Sequence, residues 1–488
     1  MSTILSLTCR IFIPAAVLSI VSFSAVMAQD NGVRFSSSDK KMEQAFVWAK
    51  SMALHYKGHP NDPVGPWYES ALPPRDAFCM RDVSHQSIGA EILGLKQENR
   101  NMMTLFASNI SASKNWCSYW EINKSGKPAT DDYRNDHEFW YNLPANFDVL
   151  YASWRLYLWT GDKYYINNPA FVHFQEKTVK DYIDTWVLSA DSMLTRPAHP
   201  NAPIPFNESD AFHRCRGLPS YSEGVANLKT GVDLIAALYR GLLTYSAILT
   251  EKGRQKEAAI YNLKAEKYRQ QLETLWWDKK DKLYHTYYSN DGHFGKEEGE
   301  TFLLWFDILK DNARVTRTLT HLSSKTWNVE NTSYLPLIFY NKGSWDKARN
   351  YILYLSDETT ARREYPEVSF GIIEGIVQGL MGIAPDTRTH SVSTIYKTTD
   401  GGNASVSNLP LLNTVVDIAH LDNHQSLLTN RGKLQLKWKA MFYGSYHHAY
   451  VNNKPATVRQ ETDLQGKVIS FVETIVKPGQ QVKVSLKQ

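Results

Sequence analysis

The acidic residues most able to do chemistry gather in a few loops that also carry arginine. Residues 71–95 read ALPPRDAFCMRDVSHQSIGAEILGL, with the pairs Arg75-Asp76 and Arg81-Asp82 just ahead of an apolar helical pattern of Ile88, Ile92 and Leu95. A charge in such a setting needs a partner, because an isolated buried ion is costly. A salt bridge that locks the loop meets that need. A functional arrangement meets it too. Arg81 would hold Asp82 ionised, and Asp82 would accept charge-assisted hydrogen bonds from two adjacent hydroxyls of a ligand. Arg75 and Asp76 would then brace the turn after Pro73-Pro74. Further acids lie in comparable places: Asp136 and Glu138 in YRNDHEFWYNLPANFD, Glu223 in PSYSEGVAN, Glu298 and Glu300 in EEGETF, Glu330, and Glu367 in REYPEVSF. Acids are also favoured at helix starts by capping and the helix dipole, so each has a structural reading beside the chemical one.

The elements that would position these groups are helices. Apolar periodicity from about residue 38 to 384 predicts twelve, near 38–57, 84–97, 99–113, 145–161, 171–188, 225–250, 253–276, 300–310, 312–323, 331–341, 344–356 and 368–383. Ser36, Ser37 or Ser38 is expected to cap the first, and Pro144 to open the fourth. The loops are asymmetric. Those after odd-numbered helices include the long segments 58–83, 114–144, 189–224 and 277–299, with 324–330 and 357–367 shorter. Those after most even-numbered helices are a few residues, and GDKYYINNP after the fourth is the longest. Long loops in compact domains are usually functional. If the helices alternate in direction, every long loop and every candidate acid falls at one end. That pattern is an (α/α)6 barrel of six helical hairpins, residues 29–386. From about 390, alternating runs such as KLQLKWKAMFY and KVISFVETIV, separated by TDGGN, NNKP and KPGQ, predict a small C-terminal antiparallel β-sandwich, residues 387–488.

Composition narrows the function classes. The net charge of the 488 residues is +4 with no basic run, which argues against nucleic acid. Aromatic residues make up 12% of the chain, suited either to a large core or to a cleft that stacks on sugar rings. Trp67, Trp116, Trp120 and Trp140 are candidates for such a cleft wall. Arg10 followed by IFIPAAVLSIVSFSAVMA, with Val26 and Ala28 as small cleavage-site residues, reads as an export signal over residues 1–28. A periplasmic or extracellular protein is expected, with no stable membrane insertion after cleavage and no other spanning segment. An uncleaved membrane anchor is the alternative for that run. Cys79, Cys117 and Cys215 would remain, an odd count that allows one disulfide and leaves a thiol. No metal or cofactor is expected.

Several motifs resemble the six-hairpin glycosidase superfamily, whose members include glucoamylases, α-L-rhamnosidases, trehalases and glycoside phosphorylases. PPRD is similar to the Pro-x-Arg-Asp stretch of the rhamnosidases. RDVSHQ equally resembles the Arg-Asp substrate-binding turn of the glucoamylase and phosphorylase branches, and YPEVSFGIIEG the Tyr-Pro stretch near the late acid of rhamnosidases. The chain departs from both patterns. Ala77 stands where rhamnosidases carry a glutamate after the first Arg-Asp, and Glu223 stands alone where glucoamylases carry Trp-Glu-Glu.

The resemblance implies an exported glycoside hydrolase that cleaves a terminal sugar from an oligo- or polysaccharide with two carboxylates, in the inverting manner. Glu223 is expected as the acid and Glu367 as the base. Arg81, Asp82, Asp76, Glu138, Trp67 and Trp140 are the expected substrate contacts. A polysaccharide lyase or unsaturated-uronide hydrolase remains a second reading, since His85, His137, His213, Tyr141 and Tyr221 lie in the same loops and helix starts. A non-catalytic glycan-binding protein is a third.

Overall fold

The computed structural model describes residues 32–488 apart from 71–72, 199–208, 211–215, 226, 464 and 487–488. The expected export signal, His213 and Cys215 therefore lie outside the described residues. Twelve helices form the six hairpins: α1 Lys40–His55, α2 Met80–Ile92, α3 Lys96–Ser108, α4 Ala145–Thr160, α5 over 169–185, α6 Val232–Glu251, α7 Gln255–Leu275, α8 Glu300–Trp305, α9 Asn312–Leu322, α10 Val329–Asn341, α11 Trp345–Ser356, and α12 Pro366–Glu374 with a π-helical extension Gly375–Leu380. Asp39, not one of the serines before it, caps α1 by accepting the Lys41 and Met42 amides at 3.1 and 3.3 Å.

The even-numbered helices make the inner ring. Each packs on the next, and α12 returns to α2 to close the circle. Their residues are buried nearly all round, whereas the outer helices α1, α3, α7, α9 and α11 keep one polar face in solvent. This explains α6. It is long and apolar enough to cross a membrane, contrary to expectation, yet it is a buried inner helix of the barrel. Two glycines set the ring's diameter. A Cβ on Gly89 of α2 would sit 2.6 Å from the Phe370 carbonyl of α12, and one on Gly371 of α12 would sit 2.6 Å from the Ser333 carbonyl of α10.

The inner helices all start at the same end, where the long loops lie. Small pairings organise those loops: Ala77–Cys79 pairs antiparallel with Glu121–Asn123, and Tyr141–Asn142 pairs in parallel with Arg216–Leu218. The opposite end, with its short turns, meets the β-domain. There Leu412 donates its amide to the Trp159 carbonyl at 2.8 Å, and Trp159 Nε1 donates to the Pro410 carbonyl at 2.9 Å.

The β-domain has a seven-stranded and a five-stranded sheet. Both are antiparallel except for one parallel pairing of Ser391–Ile395 with Leu436–Tyr443. The five-stranded sheet begins with Ala384–Asp386, and the seven-stranded sheet takes its edge strand, Arg34–Ser37, from the start of the described chain. The barrel's first helix thus begins tied to the domain that ends the chain.

Gly89→Ala tests the ring closure. A carbonyl 2.6 Å away cannot yield as a side-chain tip would, so the variant should lose about 1–3 kcal/mol and melt several degrees lower. Gly94→Ala is the control for helix-neighbouring glycine in general: its Cβ would meet nothing within 4 Å, and its cost comes only from its φ of +84°. Equal packing disturbance in the two, read from near-ultraviolet circular dichroism, would remove Gly89 as the determinant.

Candidate active site

The first turns of the inner helices surround a cavity of about 160 Å³ at the loop end of the barrel. It is lined by Arg81, Asp82, Glu223, Glu298, Glu330 and Glu367, with Tyr221, Phe302 and Tyr334 as its aromatic surface and Asn328 and Asn331 as amide donors. Six of the charged residues singled out in the sequence are thus brought together: Arg81, Asp82, Glu223, Glu298, Glu330 and Glu367.

Local structure explains how. The sequence suggested α2 near 84, but the Ala77–Cys79 pairing delivers the chain so that α2 starts at Met80. Arg81 and Asp82 therefore occupy its first turn. Arg81 Nε donates to Asp82 Oδ1 at 3.1 Å, and the guanidinium carbon lies 4.9 Å from the Tyr221 ring centroid. Pro366 opens α12, at a position where a missing N–H costs nothing, and sets Glu367 next in that turn. Glu330 holds the corresponding place in α10.

The acids differ in surroundings. Glu367 is buried, and its Oε2 has no hydrogen-bond partner among the described residues. Burial pushes its carboxyl well above the ordinary glutamate value, and the Asp82 carboxylate pushes it further. Burial also raises Asp82, against the pull of Arg81. The expectation that Arg81 simply holds Asp82 ionised is too simple: desolvation outweighs the guanidinium. Ionising one acid opposes ionising the other, so the proton belongs with Glu367, which has no direct cation. Glu298 accepts from Asn331 Nδ2 at 2.9 Å and from Asn328 Nδ2 at 3.2 Å, and burial raises it. Glu330 pairs with Arg362 at 3.1 Å. Glu223 is exposed and accepts from Asn142 Nδ2 at 2.9 Å.

Other candidates do not line the cavity. Asp76 is exposed in a left-handed conformation, φ 54°, and pairs with Lys124 at 2.6 Å. Arg75 turns instead to Glu121 at 2.7 Å and Asp132 at 3.2 Å, so the first Arg-Asp pair braces a loop by two separate bridges. Glu138 lies in a short strand paired with Tyr133–Asn135. Trp67 is buried and donates Nε1 to Asp62 at 2.6 Å, and Trp140 packs half-buried against the core. Trp120 is buried against Tyr141 and Tyr221, and Trp116 sits on Lys177. These tryptophans are loop packing. Asn328, Asn331 and Tyr334 escaped the sequence reading because amides and tyrosines near helix starts carry no distinctive spacing.

Groups that suited the second reading are mostly engaged. His85 stacks on Tyr334 at 3.6 Å between centroids, beneath the cavity floor, and burial with Arg155 pushes it well below the ordinary histidine value. Tyr141 donates to Asn146, Tyr221 donates to Asp148, and His137 is exposed.

No family model and no curated protein matches the sequence. Solved structures do match the fold. An α-L-rhamnosidase from Dictyoglumus thermophilum superposes with TM-score 0.58 at 12% identity, over 93% of this chain and 50% of its own. A putative kojibiose phosphorylase from the human microbiome gives 0.56 at 10%, over 92% and 68%. An α-L-rhamnosidase from Aspergillus terreus gives 0.52 at 12%, over 92% and 50%. What the chain shares with these structures is the fold. The chain spans about half the length of the two rhamnosidases.

Asp148, beneath the cavity, supplies a pH test. Burial raises its carboxyl to about 8, opposed by the hydroxyl of Tyr221 that donates to it. The folded value exceeds the ordinary 3.8, so folding retains a proton that the unfolded chain releases. Stability from this group is complete below about pH 4 and is lost as pH rises towards 8. Asp148→Asn keeps an acceptor for Tyr221 and removes the titration. Its melting temperature relative to the parent should climb steadily from pH 5 to pH 8. A constant difference across that range would mean Asp148 stays ionised.

Proposed function

We propose that the protein is a glycoside hydrolase that removes a terminal sugar from an oligo- or polysaccharide. The observation that carries this reading is the buried Glu367 carboxyl, with an unpartnered oxygen in a polar cavity beside the Arg81-Asp82 pair. A carboxyl whose surroundings favour its protonated form is a proton donor. The roles are therefore the reverse of the sequence expectation. Glu367 protonates the glycosidic oxygen, the bond to the anomeric carbon breaks, and the leaving sugar departs as an alcohol. Glu223, open to solvent and steadied by Asn142, takes a proton from the water whose oxygen bonds to the anomeric carbon. Solvent then returns the proton to Glu367. Such a water-activating pair inverts the anomeric centre. Asp82, Glu298, Asn328 and Asn331 present acceptors and donors to the sugar hydroxyls.

Role reversal makes the test specific. On oligosaccharides Glu367→Gln and Glu223→Gln should each lower kcat by about 10²–10⁴-fold. A glycoside with a strongly acidic leaving group needs no proton donor, so it should restore turnover to Glu367→Gln only. Restoration of Glu223→Gln alone would assign the acid to Glu223. Asp82→Asn should lose far more activity than stability, its stability cost being that of leaving Arg81 without its carboxylate partner; Asp76→Asn, at the surface, should change neither. Appearance of the ultraviolet absorbance of a new C=C bond in the product would replace hydrolysis by the lyase reading.

Export is part of the proposal and rests on residues 10–28. N-terminal sequencing of secreted protein should find Gln29 first. Full-length chain held in the membrane fraction would indicate an anchor instead.

A further inference from the structure

A second and larger cavity, about 430 Å³, lies at the opposite end of the barrel, where the inner helices finish and the β-domain begins. Leu337 and Ile338 of α10 line it, as do Ala384 and Pro385 of the first β-domain strand. It is separate from the site above. Tyr334 lines the upper cavity, Trp305 lines the lower, and His85 fills the space between them, with ring centroids 3.6 Å from Tyr334 and 5.1 Å from Trp305.

Its polar lining is basic. Arg155, Arg240 and Lys342 reach it from three different helices or their ends, and Asp307 is its lining carboxylate. Asp307 is shared among Lys342 at 2.7 Å, Lys310 at 3.0 Å and Arg240 at 3.6 Å. Arg155 pairs with the buried Glu374 and donates to Gln378 Oε1 at 3.2 Å. Its Nη1 is buried without a hydrogen-bond partner among the described residues. The lining thus carries three cations and one carboxylate, with Glu374 behind Arg155. Aromatic faces complete the lining. The Tyr151 ring lies 5.6 Å from the Arg155 guanidinium and 5.3 Å from that of Arg240, and Trp305 lies 5.0 Å from Arg155. Asn341 and Gln378 add amides. Aromatic surface, planar amides and a cationic excess in this volume suit a monosaccharide- to disaccharide-sized ligand that carries one negative group.

We propose that this lower cavity is a binding site for an anionic sugar, one whose ring carries a carboxylate or a phosphate. The charge is held by Arg155 and Arg240, and the ring rests against Tyr151 and Trp305. The site does not depend on the reaction assigned to the upper cavity.

Calorimetric titration of the full chain with glucuronate, glucose 6-phosphate, glucose and inorganic phosphate tests this. At least one acidic sugar should bind, at least tenfold more tightly than glucose and than inorganic phosphate; which of the two acidic sugars is favoured identifies the charged group. Arg240→Gln should weaken that binding at least tenfold. So should the paired change Arg155→Gln with Glu374→Gln, which leaves no buried charge unpartnered. Glu367→Gln, in the upper cavity, should leave it unchanged. Equal binding of glucose or of bare phosphate, no binding of either acidic sugar at millimolar concentration, or loss of binding in Glu367→Gln with retention in Arg240→Gln would each overturn the proposal.

Discussion

One guanidinium, that of Arg81, faces more buried carboxyl groups than it can neutralise. Asp82 bonds to it directly and the buried Glu367 stands in the same cavity, whereas the half-buried Glu330 has a partner of its own in Arg362. In a region withdrawn from water the cost of ionising every acid exceeds what one cation returns, so a proton must stay. The direct bond to Asp82 decides where. Glu367 lacks such a partner, and burial together with the Asp82 charge raises it. The chemical potential of the site is therefore a consequence of uneven pairing, not of any residue's intrinsic character.

The barrel exists in a form that enforces this crowding. Six inner helices start at one end, and each first turn can present a side chain to the axis. Helix starts offer partial positive charge from unsatisfied amides, which partly offsets the repulsion of acids gathered there. Close packing turns proximity into burial. With carbonyls of neighbouring helices 2.6 Å from where a Cβ of Gly89 or Gly371 would be, the ring has no slack by which the acids could separate. The loop strands Ala77–Cys79 and Glu121–Asn123 then fix the register of α2, without which Arg81 and Asp82 would lie in a loop and not in a helical turn.

Much of this was legible in the sequence, for a physical reason. The outer helices show a 3.6-residue apolar period and the inner ones are apolar nearly all round, while alternation in direction makes loop length report which end of the barrel a loop belongs to. The twelve segments, the decorated mouth and the β-domain follow from those two signals. Asp82 and Glu367 were found because acids mark helix starts, and Glu223 because it lies in a long loop at the mouth. The same signal was indiscriminate. Asp76 obeyed it and went to the surface, because a left-handed turn and Lys124 draw it out. Aromatic composition was more misleading still: Trp67 and Trp140 had the chemistry of a sugar platform but serve as loop core, while Tyr334 and Phe302 on inner helices face the cavity. Which side of a short helix turns inward depends on where it starts, and α2 started four residues earlier than its apolar pattern implied.

The dipole argument also bears on the two ends of the barrel. Acids at helix starts and bases at helix ends are what the macrodipole favours on any helix, so a basic lower end needs no ligand by itself. Lys342, just past the end of α10, fits that account. Arg240 does not. It lies in the middle of the twenty-residue α6, where the dipole has no net effect, and it is held by the Phe306 carbonyl at 2.8 Å and by Asp307. Nor does the dipole explain a buried Arg155 Nη1 with nothing to donate to among the described residues. Helix ends account for where positive charge is tolerated; they do not account for guanidinium groups convergent on one aromatic ring from two helices. That convergence requires α4 and α6 to be neighbours in the inner ring, and so it follows from the same closure that crowds the acids at the mouth.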